Sequence, residues 1–156
     1  MSNQVLSTQE NGAWVALLRG HSAVVRELNA QMLAAHGLTI SDYEVLLRLA
    51  NAPERAMRRV DLAESVLLTP SGITRLLEGL ERCGYVERGT CLTDRRVTYA
   101  VLTDRGQEKL TEARESHLAD VRELFTDHFS ANELETLGEL LGRLSSNSQD
   151  ECGTEE

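Results

Sequence analysis

A chain of 156 residues with 41% apolar and 26% charged side chains fits one domain with a core of its own and is not disordered by composition. It has no apolar run near the roughly 18 to 20 residues that cross a bilayer, and its first ten residues lack the apolar stretch of a signal peptide, so a cytoplasmic location with no membrane contact is expected. The net charge of −9 looks wrong for a nucleic-acid binder until its distribution is read: residues 48–105 hold ten arginines against eight acids, whereas residues 106–156 hold four bases against thirteen acids.

In chain order, Trp14, Leu17, Leu18, His21, Val24, Val25, Leu28, Met32 and Leu33 recur at three- and four-residue steps, which predicts one long amphipathic helix from Asn11 to Ala35. Gly37 is placed to cap it in the left-handed conformation. Ser41 and Glu44 have the spacing of a capping box and predict a short helix that stops before Pro53. A short strand is expected within Arg55–Arg59, followed by a two-turn helix over Val60–Leu67.

Thr69-Pro70 is the next start signal. Threonine suits the N-cap, and proline suits the first helical position because its missing N–H has no partner there anyway. Ile73, Leu76, Leu77 and Leu80 give that helix an apolar face as far as Arg82, and Cys83-Gly84 ends it. The period then falls from 3.6 to 2. Tyr85–Arg88 predicts a strand, Gly89–Asp94 a polar turn, and Arg96–Leu102 a second strand with Val97, Tyr99 and Val101 on one face. Thr103 is placed to cap a long helix carrying Leu110, Ala113, His117, Val121, Leu124, Phe125 and His128. Ser130 and Glu133 form another capping box before a last helix with Leu134, Leu137, Leu140, Leu141 and Leu144. The Ser/Asn/Glu-rich tail, residues 146–156, is expected to be disordered.

Two short helices joined by a tight turn and followed by a β-hairpin make a winged helix-turn-helix, whose second helix fits a major groove. The expected fold is mostly α with a small β-hairpin, α+β overall. Thr69, Ser71, Gly72, Thr74 and Arg75 lie on the turn and the first turn of that second helix, where small, hydroxylated and guanidinium groups suit phosphate and base-edge contacts. The hairpin tip places Asp94 beside Arg95 and Arg96, and arginine can enter a narrow minor groove. Plainer readings stand beside these: Arg75 as a solvated arginine, Ser71 and Thr74 as capping or hydrated hydroxyls, Arg95 and Arg96 as surface charges balanced by Asp94.

Taken in order, Asp61-Leu62-Ala63, Ile73-Thr74-Arg75-Leu76-Leu77, Leu80-Glu81-Arg82, Gly84-Tyr85-Val86-Glu87-Arg88 and the run from Asp94 to Gly106 resemble the MarR (multiple antibiotic resistance regulator) family of winged-helix transcription regulators, over about residues 12–145. The resemblance implies a single domain that forms a homodimer through long terminal helices, here residues 11–36 and 104–145. Residues 41–103 would form a lobe that binds double-stranded DNA. It further implies that Asp94 braces Arg96 and that Arg96 reaches the minor groove. A pseudo-palindromic operator and a ligand-responsive repressor are the expected partner and role. The family's small aromatic or phenolic effectors bind between dimer helices and DNA lobe, a crevice that Trp14, His21, Tyr43 and Arg48 would line. Trp14 reads equally as a core or dimer anchor.

Three cysteines, Cys83, Cys91 and Cys152, form no CxxC pair and no even framework, so reduced thiols are expected. A thiol-based redox regulator on the same fold, using Cys83 or Cys91, is an alternative. Peroxide-sensing relatives, however, place their reactive cysteine near the first long helix, where this chain has none. A winged-helix module for protein interaction alone is a second alternative, against which the arginine-rich centre argues. His117 and His128, eleven residues apart on one helix, would be about 16 Å apart and could not share a metal ion. No nucleophile elbow, phosphate-cradling glycine loop or HExxH motif occurs, so neither an enzyme nor a cofactor is expected.

Overall fold

The computed structural model of the chain describes residues 5–66, 70–90 and 93–146. They fall into two compact units, one ending at Asp120 and one starting at Val121. The first contains α1 (Thr8–His36), α2 (Ile40–Asn51), a 3-10 turn (Pro53–Arg55), β1 (Ala56–Arg58), α3 (Arg59–Ser65), α4 (Pro70–Arg82), β2 (Val86–Thr90), β3 (Thr98–Leu102) and most of α5 (Asp104–Leu124). The second contains the end of α5, a 3-10 turn (Thr126–His128) and α6 (Ala131–Ser146). This is the mostly helical winged helix-turn-helix expected from the sequence.

Local chemistry explains where the boundaries differ from expectation. The first helix starts at Thr8, ahead of the apolar stripe, because Ser7 and Glu10 form a reciprocal box: the Glu10 N–H donates to Ser7 Oγ at 3.2 Å and the Ser7 N–H to Glu10 Oε2 at 2.7 Å. The second helix is capped by Thr39, not Ser41. Thr39 Oγ1 accepts from the Asp42 N–H at 3.0 Å, and Asp42 Oδ2 accepts from the Thr39 N–H at 2.8 Å, so Ser41 falls within the first turn. Asn29 Oδ1 accepts from the Ile40 N–H at 3.1 Å, tying that start to α1. The third helix stops at Ser65; the rest of the expected Val60–Leu67 helix lies partly outside the described residues. Phe125, at φ −134°, breaks α5 after Leu124, so His117 and His128 do not share a helix. Ser130 caps α6 through Glu133 as expected.

The hairpin is also larger than expected. Gly89 and Thr90 continue β2 rather than opening the turn, and the short strand expected within Arg55–Arg59 forms as β1 and joins the hairpin, giving an antiparallel sheet in the order β1-β3-β2. Met57 pairs with Ala100, and Val86 with Leu102. The chain reaches β1 through Glu54 and Arg55, two non-glycine residues at φ 54° and 56°, a backbone region that L-residues enter at a cost. The Arg55 guanidinium is held there by Asp104 at 3.0 Å.

The core lies in the first unit. Leu46 and Leu49 of α2, Leu62 of α3, Ile73, Leu77 and Leu80 of α4, Val86 of β2, Ala100 and Leu102 of β3, and Leu110 and Ala113 of α5 are buried together. Helix α1 contributes only Met32 at its C-terminal end. Of its other apolar side chains, Val15, Val24 and Leu28 are half-buried, whereas Trp14, Leu17, Leu18, Val25 and Leu33 are exposed. In the second unit the rings of Phe125 and Phe129 meet edge to face at 5.5 Å, while Leu140, Leu141 and Leu144 of α6 face solvent.

Candidate nucleic-acid interface

Helix α4 is fixed on its inner side by Ile73, Leu77 and Leu80. Its C-terminus closes with a paired-bond cap: the Gly84 N–H donates to the Glu81 carbonyl and the Tyr85 N–H to the Leu80 carbonyl, both at 3.0 Å. That cap needs Gly84 at φ 76°, where glycine has no Cβ to clash. With the inner face committed, the 3.6-residue period leaves Ser71, Arg75, Glu78 and Arg82 on one outward stripe, and all four are exposed there. Gly72 and Thr74 flank the stripe at intermediate exposure. Ser71 and Arg75 are thus brought together as expected. Glu78 and Arg82 join them on the stripe, and their spacing in the sequence signals it: Glu78 lies three residues after Arg75 and seven after Ser71, and Arg82 seven after Arg75. Thr69 lies outside the described residues.

The loop tip is built around one carboxylate. The Val97 N–H donates to the Asp94 carbonyl at 3.1 Å and closes the turn. Asp94 Oδ1 accepts from the Arg96 N–H at 3.0 Å and from Arg96 Nε at 3.2 Å, while Oδ2 lies 3.5 Å from a terminal guanidinium nitrogen. These bonds, the backbone one foremost, hold the Asp94 carboxyl below its ordinary pKa, so it stays ionised opposite the arginine. Arg96 is aimed without being buried: its side chain is 91% exposed. Arg95 is exposed beside it.

The base of the loop is locked to α4 and α5 at one point. Thr103 Oγ1 donates to the Gly84 carbonyl at 2.6 Å and accepts from the Gly106 N–H at 3.0 Å, and the Thr103 N–H donates to the Tyr85 carbonyl at 3.1 Å. The Arg105 guanidinium lies 5.6 Å from the Tyr85 ring centroid. At Gly106 there is no room for a side chain: a Cβ would overlap the Tyr85 carbonyl oxygen and come within 2.7 Å of Leu102 Cδ1.

The four residues expected to line an effector crevice are less unified. Trp14 and His21 are exposed on α1, and Arg48 on α2 pairs with Glu44 at 3.4 Å. Tyr43, only 5% exposed, is a core residue whose ring meets that of His117 at 4.5 Å. Burial raises the Tyr43 pKa, opposed by Arg114, and lowers that of His117, opposed by Asp120. Among the described residues no hydrogen bond or ion pair joins any two of the four. A shallow groove on α1 is lined by Leu18, Arg19, Ser22, Ala23 and Arg26 instead. Cys83 is exposed at the end of α4; Cys91 and Cys152 lie outside the described residues. Among the described residues no three His, Cys, Asp or Glu side chains gather as a metal site, and no helix is long and apolar enough to cross a membrane.

Residues 36–97 match the model of the MarR family. Over 115 residues the chain is 30% identical to the transcriptional repressor YetL of Bacillus subtilis, covering 72% of this chain and 69% of that protein. Its structure is similar to that of AbsC, a MarR family transcriptional regulator from Streptomyces coelicolor, with TM-score 0.87, 29% identity, and coverage of 96% and 100% of the two chains. It is similar also to Sco3205, a MarR family regulator of the same organism solved in complex with DNA, with TM-score 0.89, 27% identity, and coverage of 95% and 92%. These proteins are regulators, not enzymes. Together with the arginine-bearing outward helix and the braced loop-tip arginine, these matches identify the chain as a member of the MarR family of DNA-binding transcription regulators.

Proposed function

We propose that the chain is a cytoplasmic homodimeric repressor whose two α4 helices enter successive major grooves of a pseudo-palindromic operator, while Arg96 of each wing enters the minor groove. The observation that carries this reading is the outward pair of cationic elements, Arg75 on α4 and Arg96 held by Asp94. Ser71, Gly72 and Thr74 at the start of α4 supply phosphate and base-edge contacts, and Arg95 adds a phosphate contact.

Dimerisation is supported by apolar side chains left in solvent within each unit. Trp14, 53% exposed, Leu17, Leu18, Val25 and Leu33 lie on α1, and Leu140, Leu141 and Leu144 on α6. Contiguous exposed apolar residues on long helices are the usual mark of an interface. The repressor role is supported by the name of the similar YetL protein. A small aromatic or phenolic ligand relieves repression by favouring a spacing of the two lobes that no longer matches the half-sites, with Trp14, His21 and Arg48 contacting it and Tyr43 behind them.

The test is an anisotropy titration of selected duplex DNA with the wild type, Arg75→Ala and Arg96→Ala. Each substitution is expected to weaken binding by about 5- to 150-fold while leaving the fold intact. Operator binding by both variants at wild-type strength would refute the site. Trp14 is the only tryptophan, so its emission, followed during titration with a phenolic acid, tests the ligand reading independently.

A further inference from the structure

Within the outward stripe of α4, one residue has the wrong sign for a surface that meets phosphates. Glu78 is exposed between Arg75, three residues before it, and Arg82, four residues after it. Among the described residues no ion pair engages its carboxylate, whereas Glu81, the other acid of α4, is drawn to Arg88 at 3.9 Å. Asp61 and Asp94 of the same lobe are likewise paired with Arg58 and Arg96, and Glu54, Glu64 and Glu87, also without an ion pair among the described residues, lie outside α4. An unpaired carboxylate pointing out of a DNA-reading helix weakens binding to any duplex by repulsion from phosphates, unless a base edge offers it a hydrogen-bond donor.

Its place along the helix favours a base edge over the backbone. At about 1.5 Å per residue, Glu78 lies about 10 Å along α4 from Ser71, within a major groove about 12 Å wide. Arg82, about 16 Å along by the same rise, reaches the far phosphate wall. A carboxylate can only accept hydrogen bonds. In the major groove cytosine presents its N4 amino group as a donor, whereas guanine presents two acceptors that repel a carboxylate.

We propose that Glu78 is a specificity-determining residue that accepts a hydrogen bond from the N4 amino group of one cytosine in each half-site. The proposal rests on the reading of α4 as the groove-entering helix, and its test separates the two. The full-length protein and its Glu78→Ala, Glu78→Gln and Arg75→Ala variants are used to select from a library of randomised DNA duplexes. The best duplex and its single-base-pair variants are then titrated by anisotropy. The wild type is expected to prefer cytosine at one position per half-site by about 5- to 150-fold. Glu78→Ala should lower that preference to near unity, retain preferences elsewhere and bind random DNA more tightly. Glu78→Gln should move the preference toward adenine, whose N6 and N7 match an amide. If Arg75→Ala loses affinity while all Glu78 variants keep the wild-type base profile, the proposal is overturned and the α4 reading survives. If Arg75→Ala also binds like the wild type, both fail.

Discussion

Substituting Gly106 by alanine tests how the wing is joined to the recognition helix. In an open helical position such a change stabilises by up to about 1 kcal/mol, because alanine has less backbone freedom to lose. At Gly106 the new methyl overlaps the Tyr85 carbonyl oxygen and lies 2.7 Å from Leu102 Cδ1 and 2.9 Å from the Tyr85 carbonyl carbon. Two of those atoms are backbone and cannot rotate aside. The Tyr85 carbonyl also accepts the Thr103 N–H at 3.1 Å, so displacing it strains a bond worth about 1 kcal/mol. Overpacking of this kind costs about 1–3 kcal/mol, and the helix gain offsets only part of it. A net loss of about 2 kcal/mol is expected, a fall in Tm of roughly 4–8 °C for a chain of this size. Thermal unfolding followed by circular dichroism measures it, with Gly12→Ala in α1 as the control, since nothing lies within 4 Å of a Cβ there. A Gly106→Ala protein that melts at or above the wild type would refute the account of this junction.

Other outcomes follow from the same geometry. Leu62→Ala, at a fully buried position, should cost about 2–5 kcal/mol in urea unfolding. Leu144→Glu on α6, at an exposed position, should keep the helical circular-dichroism signal of the folded chain but shift sedimentation from dimer toward monomer. Burial lowers the His117 pKa below its ordinary 6.5. The unfolded chain therefore takes up a proton near that value and the folded chain only at lower pH, so stability falls as pH drops from about 7 through the mildly acidic range. His117→Phe, which keeps an aromatic ring against Tyr43, should flatten that part of the pH–stability curve.

Much of the fold is legible in the sequence because the signals are local. The apolar period of α4, Pro70 at its start, Gly84 at its end and the change of period into the strands place the recognition helix and wing from residues 70–102 alone. The Ser130–Glu133 box forms as its spacing indicates, whereas Ser41 and Glu44 imitate the Thr39–Asp42 box two residues upstream. Spacing alone does not say which of two overlapping boxes forms its hydrogen bonds. The short strand expected within Arg55–Arg59 forms at Ala56–Arg58, but its pairing with β3 is harder to read, since three residues have too little alternation of their own to set a register. Tyr43 resembles a pocket residue in sequence because its neighbours are polar, yet the helix phase fixed by Val45, Leu46 and Leu49 turns it into the core against His117. Glu78 is easily missed because an exposed acid on a helix reads as solvation until the rest of its stripe is known.

The most direct measurement is the salt dependence of binding between the purified protein and its selected duplex, for the wild type and for the Arg75→Ala, Arg96→Ala double variant. If α4 and the wing grip duplex DNA twice per dimer, log affinity falls linearly with log salt, and the slope shrinks in the double variant by about one for each phosphate no longer neutralised. A wild-type affinity indifferent to salt, or a slope and affinity untouched by removing both arginines, would contradict it.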